Sequence, residues 1–107
     1  MDPIYLCGPA RTPIGKFGGG LSSLTPAELS VPAAQAAMER AGVAPQDVTE
    51  VIWGHGRQAG GGPNTARQVG IKAGLPDTST AWTLNKACGS SLFAIVQAAR
   101  TIRLGEG

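Results

Sequence analysis

An α/β fold, with a parallel-type sheet as its core and helices on its faces, is predicted by three features of the sequence. Short apolar runs alternate with helical patterns, in the order strand, helix, strand, helix, strand, helix. The first apolar run is continuous, as in strands buried on both faces, and does not alternate with polar residues. Glycine or proline closes most of the segments, and the alternation between them predicts parallel strands joined by right-handed crossovers.

The first strand is expected at Ile4-Tyr5-Leu6-Cys7, closed by Gly8-Pro9. A loop of some 17 residues from Gly8 to Leu24 follows, longer than compact domains usually carry without a role in binding, closure or oligomer contacts. Arg11, Lys16 and Phe17 are its distinctive members. Thr25, Pro26 and Glu28 form a capping-box pattern, with Thr25 at N-cap, Pro26 at the tolerated N1 position and Glu28 at N3. Leu29, Ala33, Ala36, Ala37 and Ala41 recur at helical spacing, and Gly42 stands where a terminating glycine belongs. Pro32 lies inside this helix and removes the bond to the Glu28 carbonyl, so a kink or a later start is expected. Val51-Ile52-Trp53 is the second strand, ending at Gly54. A glycine-rich stretch to Pro63 leads to a helix from about Thr65 to Ala73, closed by Gly74 and Pro76. The third strand, Ala81 to Leu84, runs into Asn85 to Ser91, and Leu92, Ile95, Val96, Ala99 and Ile102 mark a last helix from about Gly89 to Leu104.

Composition narrows the function classes. Only 15% of the 107 residues are charged, against the usual ~25%, while 42% are apolar and a further 16 are glycine. A chain this short cannot hide that much apolar surface within itself, so it reads as a piece of something larger or as an obligate oligomer. The longest charge-free apolar run, Leu92 to Ala99, is far short of a membrane span, and no signal peptide is recognisable. A cytoplasmic protein without a membrane partner is expected. A net charge of +2 with no Lys/Arg block gives no electrostatic footprint for nucleic acid.

Cys88 is the strongest candidate for chemistry, because the expected elements put it at a strand-to-helix junction just ahead of a helix. The free N–H groups and partial positive charge of a helix N-terminus favour a thiolate. Gly89 is expected to let the backbone turn and to leave room for a bulky acyl group, and the amides of Cys88 and Gly89 are the candidates to face a developing oxyanion. A buried, small apolar role for Cys88 is the alternative. Cys7, mid-strand, is expected to be structural, and no Cys7–Cys88 disulfide is expected. His55, the sole histidine, is a structural residue first and a candidate base for Cys88 second. No metal-ligand spacing exists, and no residue is assigned to substrate binding.

Two glycine motifs fail on context. Gly54-His55-Gly56-Arg57-Gln58-Ala59, with Asp77 some 20 residues on, matches a dinucleotide fingerprint, but Gly60 to Pro63 breaks the helix that must hold the pyrophosphate. Gly15-Lys16 is no P-loop, because Phe17 replaces the hydroxyl residue that binds magnesium.

Asn85-Lys86-Ala87-Cys88-Gly89-Ser90-Ser91, together with Arg11 to Gly19 near the start, resembles the N-terminal part of a thiolase of the acetyl-CoA acetyltransferase type. Gln58-Ala59-Gly60, Asn64 to Gln68 and Lys72 to Pro76 extend the resemblance over the whole chain. It implies a thiolase-like, incomplete N-terminal domain over residues 1–107, with Cys88 as the nucleophile that accepts an acyl group from acyl-CoA. It also implies Claisen condensation or thiolysis through that thioester, coenzyme A thioesters as substrates with no separate cofactor, and a homo-oligomer, dimer or tetramer. The family's Gly-His-Pro histidine, its second cysteine in Cys-x-Gly-Gly-Gly, its CoA-holding loop domain and its C-terminal domain would all lie beyond residue 107. Three positions depart from the pattern: Ser91 where glycine is more frequent, His55 where asparagine is common, and Pro32 inside a helix that usually has none. A ketosynthase-like condensing enzyme would share fold and nucleophile position but favours Asp-Thr-Ala-Cys-Ser-Ser, from which Asn85-Lys86 and Gly89 differ. A non-catalytic split subunit or thiolase remnant is the alternative of another class.

Overall fold

The computed structural model describes residues 2–107. It contains α1 (Pro26–Ala41), a single 3-10 turn (Pro45–Asp47), β1 (Glu50–Gly54), α2 (Thr65–Ala73), β2 (Thr80–Leu84) and α3 (Ser90–Arg103). β1 and β2 pair in parallel, with Glu50 opposite Thr80 and Gly54 opposite Leu84. The ladder extends one step further, where the His55 N–H donates to the Leu84 carbonyl at 2.9 Å. A strand, a helix and a parallel strand is the predicted unit, and α2 packs on both strands it connects as well as on α1, while α3 runs along β1.

Local chemistry explains the helix ends. At α1 the Glu28 N–H donates to Thr25 Oγ1 at 3.2 Å and the Thr25 N–H donates to Glu28 Oε2 at 3.0 Å, so both halves of the capping box form. Gly42 closes the helix at φ 67°, a left-handed conformation that costs glycine little. Pro32 does not delay the start: α1 runs unbroken from Pro26, and the Pro32 ring is exposed. That position leaves the Glu28 carbonyl near solvent, where water can replace the missing bond. Asn64 caps the start of α2, accepting the Arg67 N–H, and its side chain also reaches β2: Thr83 Oγ1 donates to Asn64 Oδ1 at 2.9 Å, and Asn64 Nδ2 donates to the Ala81 carbonyl at 3.1 Å. On the other side, Trp53 Nε1 donates to Ser30 Oγ at 3.1 Å and ties β1 to α1.

The first expected strand does not form. Ile4-Tyr5-Leu6-Cys7 makes no ladder, Tyr5 and Leu6 are 76% and 77% exposed, and Cys7 is exposed as well, which overturns the expectation of a buried structural thiol. Ile4 and Leu6 instead share a shallow apolar depression with Ile95, Val96 and Ala99 of α3. The apolar run has the composition of a buried strand, but composition does not supply a partner edge. The sheet therefore has two strands where three were expected. A cleft of about 800 Å³ flanks β1, walled by Ala34 and Met38 of α1, Val69 of α2, and Ile95 and Ala98 of α3.

The buried core is small and built largely from small side chains: Ala27, Ala66, Val69, Ala73, Leu84 and Ala94. Accessible surface totals 7307 Å², whereas a folded monomer of 10.8 kDa is expected to expose about 5,500 Å². Much of the excess is apolar. α3 buries Ala94 yet exposes Leu92, Ile95, Val96 and Ile102, so it presents apolar side chains to solvent beyond the stripe it packs on β1. Among the described residues no helix is long and apolar enough to cross a membrane.

Candidate active site

The carboxyl ends of β1 and β2 lie side by side, and the backbone that leaves β2 turns there into α3. Such strand ends are where open α/β sheets build their sites. Cys88 sits in this turn, exposed and unbonded to another cysteine, with Gly89 as the N-cap residue of α3. Gly89 has no side chain with which to satisfy the first amides of the helix, so the α3 N-terminus carries no side-chain cap.

Several contacts hold the turn, and sequence reasoning assigned none of them. The Ala87 N–H donates to Asn85 Oδ1 at 2.9 Å, and Asn85 Nδ2 donates to the Gly56 carbonyl at 3.0 Å. Ser90, only 4% exposed, donates its hydroxyl to the Ala87 carbonyl at 2.6 Å and accepts the Lys86 N–H at 2.9 Å. The residue that reverses the chain is Ala87, at φ 48°; Gly89 has φ −87°, which any residue adopts. Gly89 is thus not needed for the backbone to turn, contrary to expectation. Its N–H donates to the Lys86 carbonyl at 3.0 Å, whereas the Cys88 N–H has no protein partner among the described residues.

Gly54 has a role the glycine-motif reading did not find. A Cβ on Gly54 would lie 2.5 Å from the Ser90 carbonyl carbon and 2.6 Å from the Ser91 nitrogen. Only glycine at the end of β1 lets the first turn of α3 approach this closely. Gly56 is close in a similar way, with its Cβ position 3.2 Å from the Ala87 oxygen. The glycine-rich stretch after β1 turns through left-handed Gly60 and Gly62 and starts no helix before Thr65, so it has no place for a pyrophosphate.

His55 lies at the end of β1 with Nδ1 2.7 Å from the buried hydroxyl of Thr65, and no hydrogen bond links it to Cys88. The structure therefore assigns it a structural partner. Lys86 stacks its ammonium 3.9 Å from the Phe93 ring centroid, which places that charge over the first turn of α3. Arg11, Lys16 and Phe17 all lie in exposed loop away from regular structure.

Fold and site together define an α/β chain with an accessible cysteine thiol at the mouth of a parallel strand pair, ahead of a helix N-terminus. Residues 4–107 match the family described as "Thiolase, N-terminal domain", and the chain belongs to that family. It is 50% identical over 105 residues to a cytosolic acetyl-CoA acetyltransferase of Gibberella zeae, covering 98% of this chain and 26% of that protein. It is 48% identical over 106 residues to an acetyl-CoA acetyltransferase of Cupriavidus necator, covering 99% of this chain and 27% of that one. Among solved structures, a thiolase from Ascaris suum in complex with coenzyme A superposes with a TM-score of 0.88 at 36% identity, covering 91% of this chain and 25% of that one. The Bacillus anthracis acetyl-CoA acetyltransferase superposes with a TM-score of 0.86 at 48% identity, over 92% of this chain and 25% of the other. The chain thus spans about a quarter of the length of the relatives it matches.

Proposed function

We propose that this chain is the N-terminal part of a thiolase-type acetyltransferase that moves acetyl groups between coenzyme A thioesters, with Cys88 as the nucleophile. The observation that carries the proposal is the placement of Cys88: an exposed, unpaired thiol in a braced turn, with no protein partner for its own N–H among the described residues, directly ahead of the N-terminus of α3, which has no side-chain cap. The names of its relatives support the substrate class. The remainder of a thiolase, with the loop domain for coenzyme A and the C-terminal domain, would complete the site and cover the apolar faces of α3.

The first half-reaction then runs as follows. The Cys88 thiolate attacks the carbonyl carbon of acetyl-CoA, forming a C–S bond and a tetrahedral intermediate whose oxyanion is met by the Cys88 N–H. The Gly89 N–H supports it indirectly, by holding the turn through the Lys86 carbonyl. Collapse of the intermediate breaks the bond to the sulfur of coenzyme A, which leaves as a thiolate and takes up the proton that Cys88 gave away. In the condensing direction, the carbanion of a second acetyl-CoA attacks the thioester and frees the Cys88 sulfur; thiolysis is the reverse. No metal and no separate cofactor enters this scheme. We further propose a cytoplasmic location, in keeping with the cytosolic relatives, and a homo-oligomer that covers part of the exposed apolar surface.

Both cysteines are exposed, so access alone does not separate them. In the native protein, iodoacetamide at neutral pH is expected to alkylate Cys88 well before Cys7, because only Cys88 lies at a helix N-terminus. Peptide mapping of a partial reaction reads the order. Earlier labelling of Cys7 contradicts the assignment.

A further inference from the structure

Ala87, directly before Cys88, is one of two non-glycine residues with positive φ among the described residues, and it lacks the polar side chain with which Asn64, the other, accepts the Arg67 N–H locally. An alanine in this region costs roughly 1 kcal/mol or more, so something must hold it there. Two side chains do. Ser90 holds the carbonyl side of Ala87, and Asn85 holds its N–H while its own amide is anchored to the Gly56 carbonyl beyond β1.

We propose that Asn85 is a positioning residue for Cys88: by fixing Ala87 in its left-handed conformation it aims the Cys88 thiol and N–H at one acyl carbonyl. The proposal rests on Cys88 being the acyl acceptor. Asn85 touches neither sulfur nor substrate, and acts on the next peptide but one through an Asx-type turn. Asn85 is exposed among the described residues, so Asn85→Ala removes the two hydrogen bonds without opening a cavity in the core they build.

The geometry matters for one kind of reaction and not for another. Acyl transfer needs the sulfur and an oxyanion donor aligned on the same carbonyl, whereas alkylation by iodoacetamide needs only an accessible thiolate. In the native protein, N85A is expected to slow acetylation of Cys88 by acetyl-CoA at least about 10-fold while its alkylation by iodoacetamide stays within about threefold of wild type. The double variant N85A/A87G is expected to recover most of the acetylation rate, because glycine adopts positive φ without support. Wild-type acetylation rates in N85A, a parallel fall in alkylation, or no recovery in the double variant would each overturn the role given to Asn85. A wild-type protein that takes no acetyl group at Cys88 overturns instead the nucleophile assignment beneath it, and the two failures are thereby told apart.

Discussion

Gly54→Ala is expected to destabilise the protein by about 3 kcal/mol and to displace the candidate nucleophile. The added methyl would meet backbone atoms of Ser90 and Ser91 at 2.5 to 2.8 Å, and backbone has no rotamer with which to give way. Either β1 or the first turn of α3 must shift, and overpacking of this kind costs about 1–3 kcal/mol, here at the upper end because the obstacle is rigid. Since Ser90 also braces Ala87, the shift passes to Cys88, and a misplacement of about 1 Å costs about 10²-fold in rate. Gly89→Ala is the control. Its added methyl meets only the Lys86 oxygen at 3.5 Å, an ordinary contact, at a φ alanine adopts freely. Urea denaturation should separate the two substitutions clearly; equal midpoints would show that β1 and α3 do not meet as described.

The second large effect concerns residues 1–107 studied as an isolated polypeptide, which is expected to give no acetoacetyl-CoA thiolysis. Condensation requires a base for the thiol and another for the α-proton of acetyl-CoA. The single histidine of this sequence is committed to Thr65, and Cys7, the only other cysteine, lies outside the Cys88 turn. General acid–base help is worth about 10²–10⁴-fold, and activation of the thiol is lost in addition. The same polypeptide should associate in gel filtration, because Leu92, Ile95, Val96 and Ile102 present an apolar surface and β1 has one partner strand among the described residues. A monomer with measurable turnover would return His55 to consideration as a working base.

What could be read from the sequence is whatever short-range chemistry determines. Thr25, Pro26 and Glu28 announce α1 because the capping box closes within three residues, and Gly42 and Gly74 mark helix ends because their left-handed conformation is a local property. Val51 to Trp53 and Ala81 to Leu84 were legible as strands, and their parallel pairing followed from the helix between them. Ile4 to Cys7 misled for the opposite reason: an apolar run records that burial suits it, but the edge that would bury it is set by distant chain. Within the site, Cys88 stood out by its position before a helix. The role of Gly54 was hidden because it depends on how closely α3 crosses the end of β1. The left-handed residue could not be picked out either, since it is an alanine two residues before a glycine that looks better suited. Asn85 did carry a signal: an asparagine at a strand end, two residues before an N–H it can cap, is the pattern of an Asx turn.

The central claim is that Cys88 accepts the acyl group. Its most direct test is to incubate the native protein with acetyl-CoA, quench in acid and map the peptides by mass spectrometry, alongside Cys88→Ala. One acetyl group on Cys88 in the wild type and none in C88A is the predicted result, with C88A also losing acetyl transfer to free coenzyme A. Acetylation of Cys7, or acetyl transfer that persists in C88A, would contradict it.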